Sequence, residues 1–139
     1  MVGIVVVAHG NLAGELMKVC KGIVGECYQV AVVSFATGES RQLLCEKVEQ
    51  TIRAAEKGDG VLVLIDSFGG SPSTICLGLN LKLSIEVISG VNLAMVLEAI
   101  YNNDKYPLPE LAKRVEEAGK KGIINASELY RQKLKTQSS

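Results

Sequence analysis

The sequence predicts one α/β domain, doubly wound around a mostly parallel four-stranded sheet with helices on both faces. Three observations carry this expectation. Short aliphatic runs alternate four times with segments of helical periodicity. The runs are apolar at nearly every position rather than at alternate ones, as in strands covered on both faces. At 139 residues with 47% apolar content and positive mean hydropathy, the chain suits a single domain with a sizeable core and argues against disorder.

Residues 2–8 form the first expected strand, short and β-branched. Beyond His9 and Gly10, the apolar residues Leu12, Leu16, Val19, Cys20 and Ile23 draw one helical stripe that Gly25 can close. Val30–Phe35 is the second strand, and Leu44, Val48 and Ile52 mark a helix ending near Lys57-Gly58. Val61–Ile65 is the third strand, followed by Ser71-Pro72 as helix N-cap and first-turn proline. Residues 85–88 make the fourth strand, after which Leu93, Val96, Leu97 and Ile100 share a helical face. A further helix opens at Pro107 with Leu108, Leu111, Ala112 and Val115 on one side. Gly122, Ile123 and Ile124 suggest a short last strand, so the domain is expected over residues 1–125, with a polar helix or tail over 126–139.

Composition excludes several classes of function. Fifteen Lys+Arg balance fifteen Asp+Glu, and there is no tryptophan and only 4% aromatic residues. Neither the basic excess nor the stacking platforms of a nucleic-acid binder are present. The four cysteines form no C-x-x-C pair and are expected buried and reduced, and no metal-ligand spacing is found. The N-terminus reads as a strand rather than a signal peptide, and no apolar run approaches the roughly 18–20 residues that span a bilayer. A single histidine, His9, excludes every mechanism that needs two.

In a doubly wound sheet, ligands bind beyond the carboxyl ends of the strands, at a switch point in strand order. His9 and Asp66 end the first and third strands, which are neighbours if the first helix crosses one face and the next two the other. A carboxylate beside an imidazole sets its tautomer and supports its charged form. The turn Gly69-Gly70-Ser71 leads into a helix start that can receive an anion. Together these residues suit a phosphoryl group on His9, with Gly69, Gly70 and Ser71 as phosphate ligands. With Asp66 holding Nδ1–H, Nε2 is left as the attachment atom.

Taken singly, each residue has an ordinary reading: Asp66 a turn carboxylate, Gly69-Gly70 a turn, Ser71 and Asn92 helix caps. A Ser-His-Asp hydrolase fails because Ser71 precedes Pro72, which lacks the N–H an oxyanion hole requires. A histidine phosphatase lacks its arginine and second histidine, and no P-loop is present. The scarcity of aromatics disfavours a flavin binder. A regulatory or signalling domain of the same fold is the rival from a different class.

The segments Val5-Val6-Val7-Ala8-His9-Gly10-Asn11-Leu12-Ala13, Asp66-Ser67-Phe68-Gly69-Gly70-Ser71-Pro72 and Ser89-Gly90-Val91-Asn92-Leu93-Ala94-Met95 carry a resemblance. In order and spacing the chain resembles the mannose-type IIA components of the bacterial phosphoenolpyruvate-dependent sugar phosphotransferase system, over roughly residues 1–125. The resemblance implies a cytoplasmic phosphotransferase without cofactor, accepting a phosphoryl group on His9 from the phosphocarrier HPr and passing it to a IIB component. It implies Asp66 as partner of His9, Ser71 as a donor in the site, contact with the membrane only through IIC and IID subunits, and a homodimer exchanging the strand at 122–125. An apolar ring for docking both partners is expected around His9 from Phe68 and Met95, with Asn92 beside it, whereas Leu12 is expected in the core. Thr74 and Ala94 depart from the family's usual asparagine and proline, and Thr74 is expected to alter local hydrogen bonding only. A phosphocarrier subunit of a dihydroxyacetone kinase system shares the fold but not the Gly-Gly-Ser-Pro run.

Overall fold

The computed structural model describes residues 1–27, 29–67 and 69–138. Four parallel strands, β1 (Gly3–His9), β2 (Val30–Phe35), β3 (Val61–Ile65) and β4 (Ile85–Ser89), lie in the order β2-β1-β3-β4. Among the described residues six helices accompany them: α1 (Leu12–Val24), α2 (Arg41–Ala55), α3 (Gly70–Leu79), α4 (Leu93–Asn102), α5 (Leu108–Lys121) and α6 (Ala126–Ser138). The expected α/β class and parallel sheet are observed.

Strand alternation divides the core in two. Ile4, Val6 and Ala8 of β1 and Leu62 and Leu64 of β3 point to the layer that contains Ala13, Met17, Cys20, Val96, Leu111 and Val115. Val5, Val7, Val63 and Ile65 point to the opposite layer, with Leu44, Val48, Ile52, Ile75 and Cys76. Thus α1, α4 and α5 cover one face while α2 and α3 cover the other. That division, with β1 and β3 adjacent, opens the crevice between the two central strands. All four cysteines are free, and burial pushes the Cys76 thiol up to about 11.

Helix boundaries follow local chemistry. The Ser40 hydroxyl accepts the Leu43 N–H at 3.1 Å and starts α2. Gly25, at φ +86°, closes α1. The buried stripe of α1 differs from the expected one: Ala13, Met17 and Cys20 face the core, whereas Leu12, Val19 and Ile23 are exposed. Two apolar stripes one residue apart run along this helix, and periodicity cannot choose between them. Small Ala13 permits the closer approach to the sheet.

The short strand expected at 122–125 is not formed in the single chain. Its backbone is taken up by helix ends: Gly122 and Ile123 donate to Ala118 and Lys120, and the Asn125 carbonyl accepts from Leu129. The Asn125 side chain also accepts the Glu128 N–H at 3.0 Å, capping α6. Residues 121–137 are exposed throughout. Among the described residues no helix is long and apolar enough to cross a membrane.

Candidate active site

Period-two alternation carries His9 onto the α2/α3 side of β1, in line with Val5 and Val7. Asp66 follows directly on β3, the neighbouring parallel strand. One carboxylate oxygen, Asp66 Oδ2, accepts the His9 backbone N–H at 2.9 Å and lies 2.7 Å from its Nδ1. Main chain and ring are thereby held by the same atom. Because an ionised carboxylate only accepts, Nδ1 carries the proton, which in the neutral ring leaves the lone pair on Nε2. The His9 side chain is 61% exposed and that of Asp66 12%. Burial opposes ionisation of Asp66, but the backbone N–H, the ring hydrogen bond and the ring charge of His9 outweigh it and hold the carboxyl below its usual value. Asp66 Oδ1 is buried and accepts no hydrogen bond among the described residues.

A third group was missed by sequence reasoning. Phe35, last residue of β2, is the register partner of His9 and only 7% exposed. Its ring centroid lies 4.0 Å from that of the imidazole, with the planes at 59°, and its carbonyl accepts the Gly10 N–H at 2.9 Å. The available signal was positional: in a parallel pair, residues ending adjacent strands share a face. The loop after Phe35 is braced by Glu39, which accepts the Ala36 N–H at 3.2 Å and pairs with Lys47 at 2.6 Å. The Lys47 hydrogen bond, then the Ala36 N–H, hold the Glu39 carboxyl below its usual value.

Four residues after Asp66 the chain enters α3 at Gly70. Gly69 and Gly70 have φ of +89° and +82°, a region that excludes most side chains. Gly69 takes the N-cap position, with no side-chain hydrogen bond to the first turn. Ser71 is therefore not the N-cap that the Ser-Pro pair suggests. Gly69 and Gly70 turn the chain earlier, leaving Ser71 exposed within the first turn and Pro72 where a missing N–H costs nothing. The uncapped N–H groups and the Ser71 hydroxyl make this helix start suited to an anion. Thr74 donates to the Gly70 carbonyl at 3.0 Å, one turn back along α3.

The residues expected to form a docking ring are placed differently. Met95 is buried, 3% exposed, and a Cβ on Gly119 would come within 2.6 Å of its Cγ. It is core between α4 and α5 and leaves the expected exposed ring. Asn92 caps α4, its Oδ1 accepting the Met95 N–H at 3.1 Å while its Nδ2 donates to the Gly119 carbonyl at 3.1 Å. Both polar ends are thus used inside the chain. Leu12, expected in the core, is 44% exposed at the start of α1, shortly beyond His9. Phe68 lies outside the described residues.

Fold and site define a class: a doubly wound domain presenting one exposed imidazole, oriented by a half-buried carboxylate, with an uncapped helix start on the segment that follows that carboxylate. The sequence profile of the family described as "PTS system fructose IIA component" matches residues 3–116. The chain belongs to this family, the mannose-type IIA components of the sugar phosphotransferase system. It is 33% identical over 124 residues to the mannose-specific EIIAB component of Escherichia coli K12, covering 88% of this chain and 38% of that protein. The chain therefore spans well under half the length of that relative. It is 27% identical over 137 residues to the fructose-specific EIIA component of Bacillus subtilis 168, covering 98% and 93% of the two chains. The crystal structure of phosphotransferase system component EIIA from Streptococcus agalactiae superposes with a TM-score of 0.85 at 26% identity, covering 92% of this chain and 99% of the other.

Proposed function

We propose that the protein relays a phosphoryl group through His9, accepting it from phospho-HPr and passing it to a IIB component in sugar uptake. The observation that supports this most is the double hold of Asp66 Oδ2 on the backbone N–H and Nδ1 of His9, which leaves Nε2 as the other ring nitrogen of a side chain 61% exposed. In the accepting step the Nε2 lone pair attacks phosphorus and forms the new N–P bond. The N–P bond to the donor breaks, and its electron pair returns to the donor's ring nitrogen. His9 then carries positive charge shared over the ring, with the proton still on Nδ1 and donated to Asp66. The reverse sequence delivers the group to the acceptor, for which the protonated ring is the better leaving group. Backbone N–H groups after Gly69, at Gly70 and Ser71, and the Ser71 hydroxyl would neutralise the charge of the equatorial oxygens in transit. No cofactor or metal is needed for these steps.

Both partners must reach the same nitrogen, so both dock over the same mouth. Leu12, exposed at the start of α1 shortly beyond His9, supplies apolar surface on one side of it. A homodimer is part of this reading: β4 is a sheet edge, and the exposed Ile123 and Ile124 precede a helix that stands off the domain. The relay would work in the cytoplasm, meeting the membrane only through IIC and IID subunits. Residues 1–125 would act as the phosphocarrier domain.

The relay reading is tested by incubating wild-type protein and His9→Gln with phosphoenolpyruvate, the general phosphotransferase enzyme and HPr. Acid-labile, alkali-stable label is expected on wild type and absent from the variant. An unlabelled wild type would favour a regulatory domain, and label that no IIB accepts would favour signalling over transport.

A further inference from the structure

We propose that Phe35 is a positioning residue for His9, fixing the plane of the imidazole so that Nδ1 stays on Asp66 and Nε2 stays turned outward. For its catalytic consequence this rests on the relay reading. Asp66 alone does not fix the ring. A single hydrogen bond at Nδ1 leaves the imidazole free to swing about that contact, and the side chain is 61% exposed. A flip about its terminal torsion, which is broad and roughly two-fold, would also remove Nδ1 from the carboxylate. Phe35 blocks this motion from the adjacent strand. Phe35 is 7% exposed and belongs to the α2/α3 core layer with Val33 and Leu44, and its ring meets the imidazole at 4.0 Å between centroids. The hydrogen bond from Gly10 to the Phe35 carbonyl ties the residue after His9 to the same strand end. Ring and backbone of Phe35 therefore grip both sides of the histidine.

The contact has a second consequence. When Nε2 is phosphorylated and Nδ1 protonated, the imidazole carries positive charge within the roughly 6 Å over which an aromatic ring attracts a cation. A leucine in the same place would fill space without that attraction and without a rigid plane.

The single histidine makes the test direct, because the ring nitrogens give one set of signals in the ¹⁵N-labelled protein. In Phe35→Leu, the His9 ring protons should lose their aromatic ring-current displacement, and the spectrum should change from one Nδ1–H tautomer to a mixture of the two. The rate of phosphoryl acceptance from phospho-HPr should fall about tenfold, with the KM for the donor unchanged. Phe35→Tyr, which keeps the ring, should restore both the tautomer and the rate. Thermal unfolding of each variant identifies a misfolded chain, and Phe35→Tyr then carries the comparison against wild type. A Phe35→Leu protein with the wild-type tautomer, or with the wild-type acceptance rate, overturns the proposal. If wild type itself takes no phosphoryl group, the relay reading fails, and the tautomer of the unphosphorylated variant still decides the role of Phe35.

Discussion

At the scale of single residues, the site depends on one carboxylate with two duties. Asp66 Oδ2 receives both the main chain and the ring of His9, so ionisation of Asp66 stabilises the fold as well as the orientation of the proposed nucleophile. Its carboxyl is held below the usual value, which fixes the sign of the pH effect. A depressed folded value means that the stabilisation is present above the unfolded value of about 3.9 and is lost as pH falls through the folded one. The stability difference between wild type and Asp66→Asn, measured by urea unfolding, should therefore shrink as pH drops below about 4. A difference that grows with acidity would contradict the assignment. At neutral pH the same substitution should slow phosphoryl acceptance by about 100-fold, because an amide can turn its N–H towards Nδ1 and favour the wrong tautomer.

At the scale of elements, the strands were legible almost to the residue because each is an apolar run, broken only by Ser34 in β2 and Glu86 in β4, that soon gives way to polar and glycine residues. His9 and Asp66 were legible for the same reason, as the polar residues closing two such runs. What periodicity left open was which face a helix buries. On α1, two apolar stripes compete, and only packing against β1 decides for Ala13 and Met17. The start of α3 was misread because Ser-Pro is a strong cap signal, while the two positive-φ glycines before it turn the chain first. Met95 could not be assigned from sequence, since its burial depends on Gly119 of a different helix. The Asn92 side chain joins these two helices, capping α4 and holding the Gly119 carbonyl of α5. Asn92→Ala should lower stability by about 1–2 kcal/mol in thermal or urea unfolding. The phosphoryl-acceptance rate of the folded protein should remain within twofold of wild type; a loss of rate at full stability would instead place Asn92 at the partner interface.

At the scale of the whole molecule, the chain buries its sheet well and leaves apolar residues exposed past α5. Ile123 and Ile124 are exposed, Ile123 near the open β4 edge, and α6 presents Leu129 and Tyr130 to solvent. Scattered apolar residues are ordinary, whereas a contiguous set at one end suits an interface between two copies. Light scattering behind size exclusion should give a dimer mass for wild type, and Ile123→Glu with Ile124→Glu should shift it towards the monomer. A monomeric wild type at micromolar concentration would count against the homodimer. The central claim, however, is atomic: the phosphoryl group sits on Nε2 of His9, because Asp66 occupies Nδ1. Its most direct measurement is the ³¹P–¹⁵N correlation spectrum of the phosphorylated, ¹⁵N-labelled protein. The account predicts coupling of phosphorus to Nε2 of the single histidine, whereas coupling to Nδ1, or a phosphate on Ser71, would contradict it.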